Sequence, residues 1–320
     1  MDNHHHDLRG IIIAGGSGNR LRSFTRRLYG EERPKQYCAF IGTRTMLQHT
    51  VDRTRMLIRD KDLYMVVSQA HLPYAQQQVS LTPSDHMIVQ PYCRETAASV
   101  LLPLSRILHR NENAVTAIFP ADHFILDEWK FLQYVQQAAA FVRRHPERIV
   151  LLGVRPDRVD HGYGWIVPGD RLTDRIRSVR AFIEKPLRSP LNAALYESVY
   201  WNTFVMVARA GTLAAKIRET APALVDAFAI YRRSIGTLME QQAISAAYEH
   251  APTLNLSSAI LQHIAPSLAV MDVSDIGWSD WGEESRIRDD VARYDLRFRI
   301  PPPSDEENHS QEHLHHTAAD

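Results

Sequence analysis

A short apolar run that leads directly into a glycine-rich loop constrains this chain more than any other feature. Residues 11–14 read Ile-Ile-Ile-Ala, and residues 15–21 read Gly-Gly-Ser-Gly-Asn-Arg-Leu. The run predicts a buried strand, and the glycines let backbone N–H groups at its end turn towards an anion such as a phosphate. Arg20 in the loop and Lys35 beyond it add positive charge. This combination indicates a site for a nucleoside triphosphate, with a plain glycine turn as the alternative.

The spacing of the glycines differs from that of two common phosphate-binding motifs. It lacks the Walker pattern, and Arg20 and Leu21 stand where a G-x-G-x-x-G turn would continue towards glycine. No acidic residue follows at the end of a clear second strand, about twenty residues on, to receive a ribose. A NAD(P)-dependent dehydrogenase is therefore disfavoured.

Apolar β-rich runs alternate with helical patterns through the first half of the chain. Strands are predicted at 11–14, 63–68, 86–90 and 114–119, and helices at about 45–59, 71–79, 95–110 and 127–144. In the second half, strands are predicted at 148–154, 163–168, 176–184, 199–208 and 268–273, with helices dominating from 210 to about 264. The pattern predicts an α/β fold, Rossmann-like, with a mainly parallel mixed sheet and helices on both faces.

The chain contains no Pro/Gly/Ser-rich linker between its halves. A single domain is therefore predicted over residues 9–300, with a nucleotide-binding half at 9–150 and a sugar-binding half at 151–300. Residues 1–8 and 301–320 are His-rich and polar, and they are predicted to be disordered tails.

Composition narrows the classes of partner. The 320 residues include 37 Lys plus Arg and 37 Asp plus Glu, so the formal net charge is zero and a nucleic-acid partner is not expected. The two cysteines have no metal-ligand spacing and suit a reducing compartment. No signal peptide or membrane-length apolar stretch is recognised, so a soluble cytoplasmic protein without a membrane partner is expected. A homodimer is the commonest oligomer for such a protein.

Two aspartates that follow predicted strands are candidate metal ligands. Asp122 comes just after the strand that ends at Phe119, and Asp280 lies in the Gly-Trp-Ser-Asp-Trp-Gly turn at 277–282. Mg²⁺ is usually held by one or two carboxylates together with phosphate oxygens. A strand-end aspartate is also a common cap or turn residue, and the sequence does not show whether the two loops meet.

Three further motifs offer groups for a second substrate. Glu184 and Lys185 close a predicted strand, where Lys185 suits a phosphate and Glu184 a sugar hydroxyl; a surface ion pair is the alternative. Gly164, in Gly-Tyr-Gly-Trp, permits close approach of a ligand or forms a β-turn. The amide of Asn202 can bond a sugar hydroxyl or support a turn.

Taken in order, these motifs resemble the sugar-1-phosphate nucleotidyltransferases, and most of all the mannose-1-phosphate guanylyltransferases. The matching motifs are the glycine loop with Arg20, Pro-Lys-Gln at 34–36, Pro-Ala-Asp-His at 120–123, Gly-Tyr-Gly at 162–164, Glu-Lys-Pro at 184–186, Trp-Asn-Thr at 201–203 and Gly-Trp-Ser-Asp at 277–280. The resemblance covers residues 9–295, and the last motif is the one most particular to the guanylyltransferases.

The resemblance implies attack by a sugar-1-phosphate oxygen on the α-phosphate of a nucleoside triphosphate, with release of pyrophosphate. Such a transfer depends on positioning and charge neutralisation and needs no protein nucleophile. The implied substrates are GTP and mannose-1-phosphate, and the implied cofactor is Mg²⁺, bound by Asp122 and Asp280. The implied catalytic residues are Arg20, Lys35, Asp122, Lys185 and Asp280. The predicted nucleotide-binding residues are Ala14, Gly15, Gly16, Ser17, Gly18, Asn19, Arg20, Lys35, Gln90, Glu95 and Thr96, and the predicted sugar-binding residues are Gly164, Glu184, Lys185 and Asn202.

Several departures from the family pattern leave the choice of base and sugar open. Gln90 stands where guanylyltransferases commonly have Glu, and Glu95 replaces an expected Asn. A carboxylate accepts from guanine N1–H and N2–H₂, whereas a Gln amide pairs better with uracil or thymine; Glu95 could restore guanine recognition from a neighbouring position. Residues 255–259 lack the Ile-Asp-Tyr-Ala often seen in the family, and residues 26–33 form a longer loop, either a flap over the triphosphate or a solvated insertion.

Three alternatives therefore remain beside the main prediction. The enzyme could use UTP or dTTP, it could use another hexose-1-phosphate, or the chain could be a catalytically silent relative that binds a sugar nucleotide and regulates a partner. A silent relative should have lost metal or phosphate ligands. All five implied catalytic residues are present, which favours an enzyme.

Overall fold

A computed structural model describes residues 8–16, 18–83, 86–158, 160–186 and 198–297. Ser17 and the predicted tail at 301–320 lie outside the described residues, as does the N-terminal tail except for Leu8. Leu8 was predicted to belong to that tail, but it opens the first strand.

The strands of the described residues are β1 (Leu8–Ile13), β2 (Leu63–Ser68), β3 (Met87–Gln90), β4 (Val115–Pro120), β5 (Phe124–Ile125), β6 (Ile149–Val154), β7 (Gly164–Arg171), β8 (Ile176–Glu184), β9 (Tyr200–Arg209), β10 (Leu268–Asp272) and β11 (Trp278–Ser279). The α-helices are α1 (Arg22–Tyr29), α2 (Met46–Arg55), α3 (Leu72–Gln78), α4 (Glu95–Arg110), α5 (Glu128–Arg144), α6 (Ala210–Thr220), α7 (Pro222–Ala227), α8 (Ala229–Ser234), α9 (Glu240–His250), α10 (Leu256–Ala259) and α11 (Glu284–Arg293). Two short 3₁₀ helices, Asn19–Leu21 and Lys35–Tyr37, flank the glycine loop and α1.

Local sequence explains where two of the long helices begin. The Thr45 hydroxyl accepts a hydrogen bond from the Gln48 N–H, and the Gln48 side chain accepts one from the Thr45 N–H, which is a capping box at the start of α2. The Asp127 carboxylate accepts from the Lys130 N–H at 2.9 Å and caps the start of α5. Both helices therefore begin at a side chain that satisfies a backbone N–H of the first turn.

Nine strands form one mixed sheet in the order β3-β2-β1-β4-β9-β6-β10-β8-β7. The strands β3, β2, β1 and β4 are parallel to one another, as expected for a region where strands and helices alternate. Strand β9 is antiparallel to both β4 and β6, and only the β6–β10 pair continues the parallel pattern among the described strands of the second half.

The second half closes on itself at the start of β9. Besides its place next to β8, β7 pairs with β9 through Trp165 opposite Trp201 and Ile166 opposite Tyr200. The strands β9, β6, β10, β8 and β7 therefore form a continuous ring of pairings. This ring places the Gly-Tyr-Gly and Trp-Asn-Thr motifs side by side.

Helices cover both faces of the sheet, as predicted. Alternate residues of β1 point to opposite sides: Ile12 packs in a core with α2, α3 and α5, and Ile11 packs in a core with α4 and α6 to α10. A third, smaller cluster joins α1 and α11 around Trp281. In the described residues, no helix combines the length and apolar character needed to cross a membrane.

Candidate active site

The glycine loop is tied to the 3₁₀ helix Lys35–Tyr37. The Gln36 amide donates to the carbonyl oxygens of Ala14 at 3.0 Å and Gly16 at 2.7 Å. The Tyr37 hydroxyl donates to the Ala14 oxygen at 3.1 Å. These two carbonyl groups are thus satisfied within the protein, and the N–H groups of the loop are the groups suited to an anionic ligand.

Two glycines of the loop have a steric reason to be glycine. Gly18 has a φ of +60°, and a β-carbon there would lie 2.9 Å from the backbone nitrogen of Lys35. A β-carbon on Gly15 would clash with the side-chain nitrogen of Gln90. Around Gly16, by contrast, a β-carbon would meet no described atom within 4 Å. The loop is therefore packed on the side of Gly15 and Gly18 and open at Gly16.

A two-stranded sheet brings the two predicted metal ligands together. Strand β5, which begins two residues after Asp122, pairs antiparallel with β11, which ends just before Asp280. Phe124 of β5 and Trp281 beyond β11 stack with ring centroids 4.4 Å apart. The loops that carry the two carboxylates therefore meet, which the sequence could not show.

Lys35 lies between the two aspartates. Its ammonium group is 2.9 Å from a carboxylate oxygen of Asp122 and donates to the backbone oxygen of Asp280. Only 6% of its side chain is exposed, so this positive charge is almost fully withdrawn from water. The arrangement places one buried positive charge against both aspartates.

The Asp280 carboxylate is surrounded by hydrogen-bond donors. Arg20, in the 3₁₀ helix that follows the glycine loop, lies 3.1 Å from Oδ2, and the Tyr163 hydroxyl donates to Oδ1 at 2.6 Å. Burial opposes ionisation, but Lys35, Tyr163 and Arg20 outweigh it and lower the pKa of Asp280 to about 2. At neutral pH this residue is an anion.

Asp122 is also held as an anion, and its neighbour His123 is held neutral. Burial would raise the pKa of Asp122, but the Lys35 ammonium lowers it below its usual value. Burial lowers the pKa of His123 to about 4, and its Nδ1 accepts a hydrogen bond from the Trp278 indole at 3.2 Å. His123 therefore adds no positive charge to the site at neutral pH.

Arg286 supports the site from α11, and the sequence prediction missed it. Its buried guanidinium donates to the Tyr163 hydroxyl, lies 3.5 Å from Asp280 and pairs with Asp160 at 3.4 Å. It also lies over the rings of Tyr163 and Trp201, at 5.0 and 5.3 Å from their centroids. A chain of hydrogen bonds thus runs from Arg286 through Tyr163 to Asp280.

The predicted sugar-binding residues lie beside Tyr163. Gly164 at the start of β7 pairs with Glu184 at the end of β8, and the Lys185 N–H donates to the Tyr163 carbonyl at 3.2 Å. Burial raises the pKa of Glu184 above its usual value, although Lys185 opposes the shift. The Lys185 side chain is exposed and its backbone has a φ of 44°.

Asn202 is buried next to this group on β9. Its side-chain oxygen accepts from the Phe204 N–H at 3.1 Å, so part of its hydrogen-bonding capacity serves the backbone. The Tyr163 and Trp201 rings are 4.6 Å apart, which links the Asn202 segment to the aspartate cluster. The structure thus brings four predicted groups to one edge of the sheet: the glycine loop, the two aspartates, Gly164 with Glu184 and Lys185, and Asn202.

The predicted base-reading residues have different environments. Gln90 is buried beside Gly15 at the end of β3. Glu95 is exposed, begins α4 and has a φ of 60°. The Thr96 hydroxyl accepts from the Leu256 N–H at 2.8 Å and therefore holds α10 against α4.

Residues 26–33 were predicted to form a loop, but the structure places the first four in α1. Arg27 pairs with Glu284 of α11, and Arg26 pairs with Glu32. The Arg26 and Arg27 side chains are 65% and 48% exposed, whereas Leu21 and Phe24 are buried on the other side of this region. The second half of the segment, from Gly30 to Arg33, is non-helical.

The aspartate pair fits a hard divalent cation. Among the described residues there is no cluster of three or more His, Cys, Asp or Glu side chains that would enclose a metal ion by themselves. Two carboxylates that already attract an ammonium group match the donor set of Mg²⁺, which completes its coordination with phosphate oxygens and water. These residues would hold the ion together with a phosphorylated substrate.

Comparison with known families agrees with this geometry. Residues 9–294 match the family described as nucleotidyl transferase. The chain belongs to the nucleotidyl transferase family. The resemblance drawn from the sequence motifs is therefore confirmed, as is the prediction of a nucleotidyltransferase at the level of this family.

Individual members of the nucleotidyl transferase family align over most of the chain. The mannose-1-phosphate guanylyltransferase of Salmonella muenchen is 28% identical over 287 residues, which cover 87% of this chain and 58% of that protein. The alginate biosynthesis protein AlgA of Pseudomonas aeruginosa is 29% identical over 296 residues, covering 88% and 58%. The chain thus spans 58% of the length of these curated relatives.

A solved structure has the same nucleotidyl transferase fold. The Thermus thermophilus protein described as a mannose-1-phosphate geranyltransferase superposes with a TM-score of 0.70 at 23% identity. The alignment covers 86% of this chain and 76% of that one. The predicted fold class is therefore confirmed, while the roles of single site residues remain predictions.

Proposed function

We propose that this chain transfers a nucleotidyl group to a sugar-1-phosphate, using GTP and mannose-1-phosphate and releasing pyrophosphate. The placement of Lys35 between Asp122 and Asp280, beside the open glycine loop, is the observation that carries the proposal. The names of relatives such as the Salmonella muenchen protein support the choice of mannose-1-phosphate and GTP. A cytoplasmic location and a homodimer remain predictions.

In this proposal the glycine loop and its cations bind the triphosphate. Backbone N–H groups of the loop contact phosphate oxygens, and Arg20, whose side chain is 63% exposed, is free to turn from Asp280 towards the leaving pyrophosphate. Lys35, which lies against both aspartates, would pair its ammonium group with a phosphate of the triphosphate. These contacts place the α-phosphorus for attack and stabilise the departing charge.

Asp122 and Asp280 would hold Mg²⁺. When bound, Mg²⁺ neutralises charge on the phosphate oxygens of both substrates. The Tyr163 and Arg286 hydrogen bonds keep Asp280 ionised and oriented for that task. No side chain needs to form a covalent intermediate, because the attacking group is the oxygen of the sugar phosphate.

The second substrate would bind along β7 and β8. The exposed Lys185 ammonium pairs with the sugar phosphate, while Glu184 and Asn202 bond hexose hydroxyls. Glu184 is partly buried, and burial raises the pKa of its carboxyl group, so a hydroxyl donor would compensate for lost solvation. The backbone of Gly164 forms the adjoining wall.

Pyrophosphate release tests this proposal. The assay pairs each common nucleoside triphosphate with several hexose-1-phosphates, with and without Mg²⁺. We expect release only with Mg²⁺, and most rapidly from GTP with mannose-1-phosphate. A preference for UTP or dTTP would move the activity to a sister transfer, and nucleotide binding without any release would indicate the silent regulatory alternative.

A further inference from the structure

The carboxamide of Gln90 is held by two buried hydroxyl groups from different parts of the chain. Gln90 is 2% exposed at the end of β3. Ser99, one turn into α4, donates to its Oε1 at 2.8 Å, and Tyr248 of α9 donates to the same oxygen at 3.3 Å. The side chain is therefore fixed by one residue of the first half and one residue of the second.

These hydroxyls determine which way the amide faces. The Tyr248 hydroxyl is completely buried, and burial raises its pKa, so the phenol keeps a proton that needs an acceptor. Oε1 provides that acceptor. The Ser99 hydroxyl also lies 3.1 Å from the Glu95 carbonyl, but its contact with Gln90 is the shorter one. A reversed amide would leave the Tyr248 proton without its acceptor.

The fixed orientation leaves only N–H donors for a ligand. An amide oxygen has two lone pairs, and both are used by Ser99 and Tyr248. The side-chain nitrogen points the other way, against Gly15 of the glycine loop. A nucleotide held by that loop would therefore meet a donor and no acceptor from Gln90.

We propose that Ser99 and Tyr248 are positioning residues that make Gln90 select nucleotides whose base carries a carbonyl at the edge that Gln90 reads. Guanine O6 and uracil or thymine O4 accept hydrogen bonds, whereas adenine and cytosine present an amino group at the same positions. If the amino group of adenine or cytosine faced the Gln90 amide N–H, two donors would meet and one would be left buried without an acceptor. Nucleotides of these two bases are therefore rejected. The inference rests on the proposed binding of a nucleoside triphosphate at the glycine loop, and it does not depend on whether the preferred base is a purine or a pyrimidine.

Two matched pairs of nucleotides test the selection. ITP and ATP differ on the six-membered ring of a purine, and UTP and CTP differ at position 4 of a pyrimidine. Equilibrium binding is measured with Mg²⁺ for all four. If purine nucleotides bind, we expect ITP to bind at least about tenfold more tightly than ATP. If pyrimidine nucleotides bind, we expect UTP to bind at least about tenfold more tightly than CTP.

The double variant Ser99→Ala with Tyr248→Phe tests the positioning role. It frees the Gln90 amide to turn over, so the preference within each pair should fall to less than about threefold. The matched control is Ser105→Ala with Tyr231→Phe, which removes a buried serine hydroxyl from the same helix and a buried tyrosine hydroxyl outside contact with Gln90. The control should keep the full preference, and Ser99→Thr, which retains the hydroxyl, should keep most of it.

The outcomes separate this inference from the proposed reaction. Tight binding without a carbonyl preference, or a preference that survives unchanged in the double variant, overturns the inference while leaving nucleotidyl transfer in place. A preference that is lost in the double variant and kept in the control supports it, even if no pyrophosphate is released. Failure of all four nucleotides and GTP to bind would overturn both.

Discussion

At the scale of single residues, Asp280 accepts contacts from more hydrogen-bond donors than the other residues described in the site. Its carboxylate meets Arg20, Tyr163 and Arg286, and its backbone oxygen meets Lys35. Asp280→Asn keeps the shape and an acceptor for Tyr163, but it removes the charge that would bind a metal ion. We expect turnover, measured as pyrophosphate release, to fall by at least about 100-fold.

The fold should survive the loss of this charge. Lys35 retains its contact with Asp122, and Arg286 retains Asp160 and Tyr163. The free energy of unfolding should therefore change by less than about 2 kcal/mol in urea denaturation. Asp275→Asn, which alters a half-exposed aspartate on Lys130 and Tyr134, is the control and should leave turnover nearly unchanged. Normal turnover in Asp280→Asn would contradict the metal site.

His71 gives the protein a predictable response to pH. It is half-buried against Tyr37, and burial, with a contribution from Arg22, lowers its pKa below 6.5. Below pH 6.5 the unfolded chain therefore binds a proton that the folded chain does not, so stability decreases as the pH falls. Wild type should lose more free energy of unfolding than His71→Gln between about pH 7.5 and about pH 5.5. Equal losses in urea denaturation at the two pH values would disprove this assignment.

The sequence was informative about residues that stand at strand ends. Arg20, Asp122 and Asp280 could be picked out because a charged side chain after a predicted strand is placed at the ligand-binding edge of such a sheet. Lys35 lies beyond α1 and was picked out as a second cation in the segment after the glycine loop. Arg286 could not, since an arginine on an amphipathic helix looks like a solvated residue until the fold buries it. Arg288, on the same helix, shows what such a residue usually does, since it pairs with Glu284 one turn away.

At the scale of elements, the small sheet of β5 and β11 is what assembles the site. Each strand has two residues, too few for any periodic pattern, so neither could be predicted from the sequence. Side-chain contacts add to the backbone pairs of this sheet: Trp281 stacks on Phe124, meets the edge of Phe40 and donates to Asp290 at 2.9 Å. The position of Asp280 therefore depends on the packing of its neighbour Trp281.

Trp281→Ala tests this dependence. The indole is 1% exposed, so its removal should lower the free energy of unfolding by about 3–5 kcal/mol. Turnover should also fall at temperatures where the variant remains folded, because Asp280 loses its support. Trp129→Ala removes the same side chain from a site where it is 65% exposed, and it should cost less than about 0.5 kcal/mol. An unchanged rate in folded Trp281→Ala would mean that Asp280 is positioned without the indole.

At the scale of the whole molecule, the two halves are interleaved. The predicted strands were found near their expected positions because buried parallel strands are nearly continuous apolar runs, as in β4 and β6. Their order could not be predicted, since it depends on contacts distant in sequence. In the sheet, β9 lies between β4 and β6, so a strand of the predicted sugar-binding half lies beside a strand of the predicted nucleotide-binding half.

This arrangement predicts one cooperative unfolding transition for residues 9–300. Four of the five tryptophans follow residue 150, and the fifth, Trp129, is 65% exposed, so a change in fluorescence reports mainly on the second half. Val67→Ala creates a cavity at a fully buried position of β2 and should lower the free energy of unfolding by about 2 kcal/mol. Because β2 is joined to β9 through β1 and β4, we expect the fluorescence midpoint in urea to fall together with the midpoint measured by circular dichroism.

The exposed Gln77→Ala on α3 serves as the control and should move neither midpoint appreciably. If Val67→Ala shifted only part of the dichroism change and left the tryptophan transition in place, the halves would be two independently folding units. That result would mean that contacts between the halves, including the one from Tyr248 to Gln90, do not couple their unfolding. A shared transition would instead mean that the contact proposed to orient Gln90 belongs to one cooperative unit.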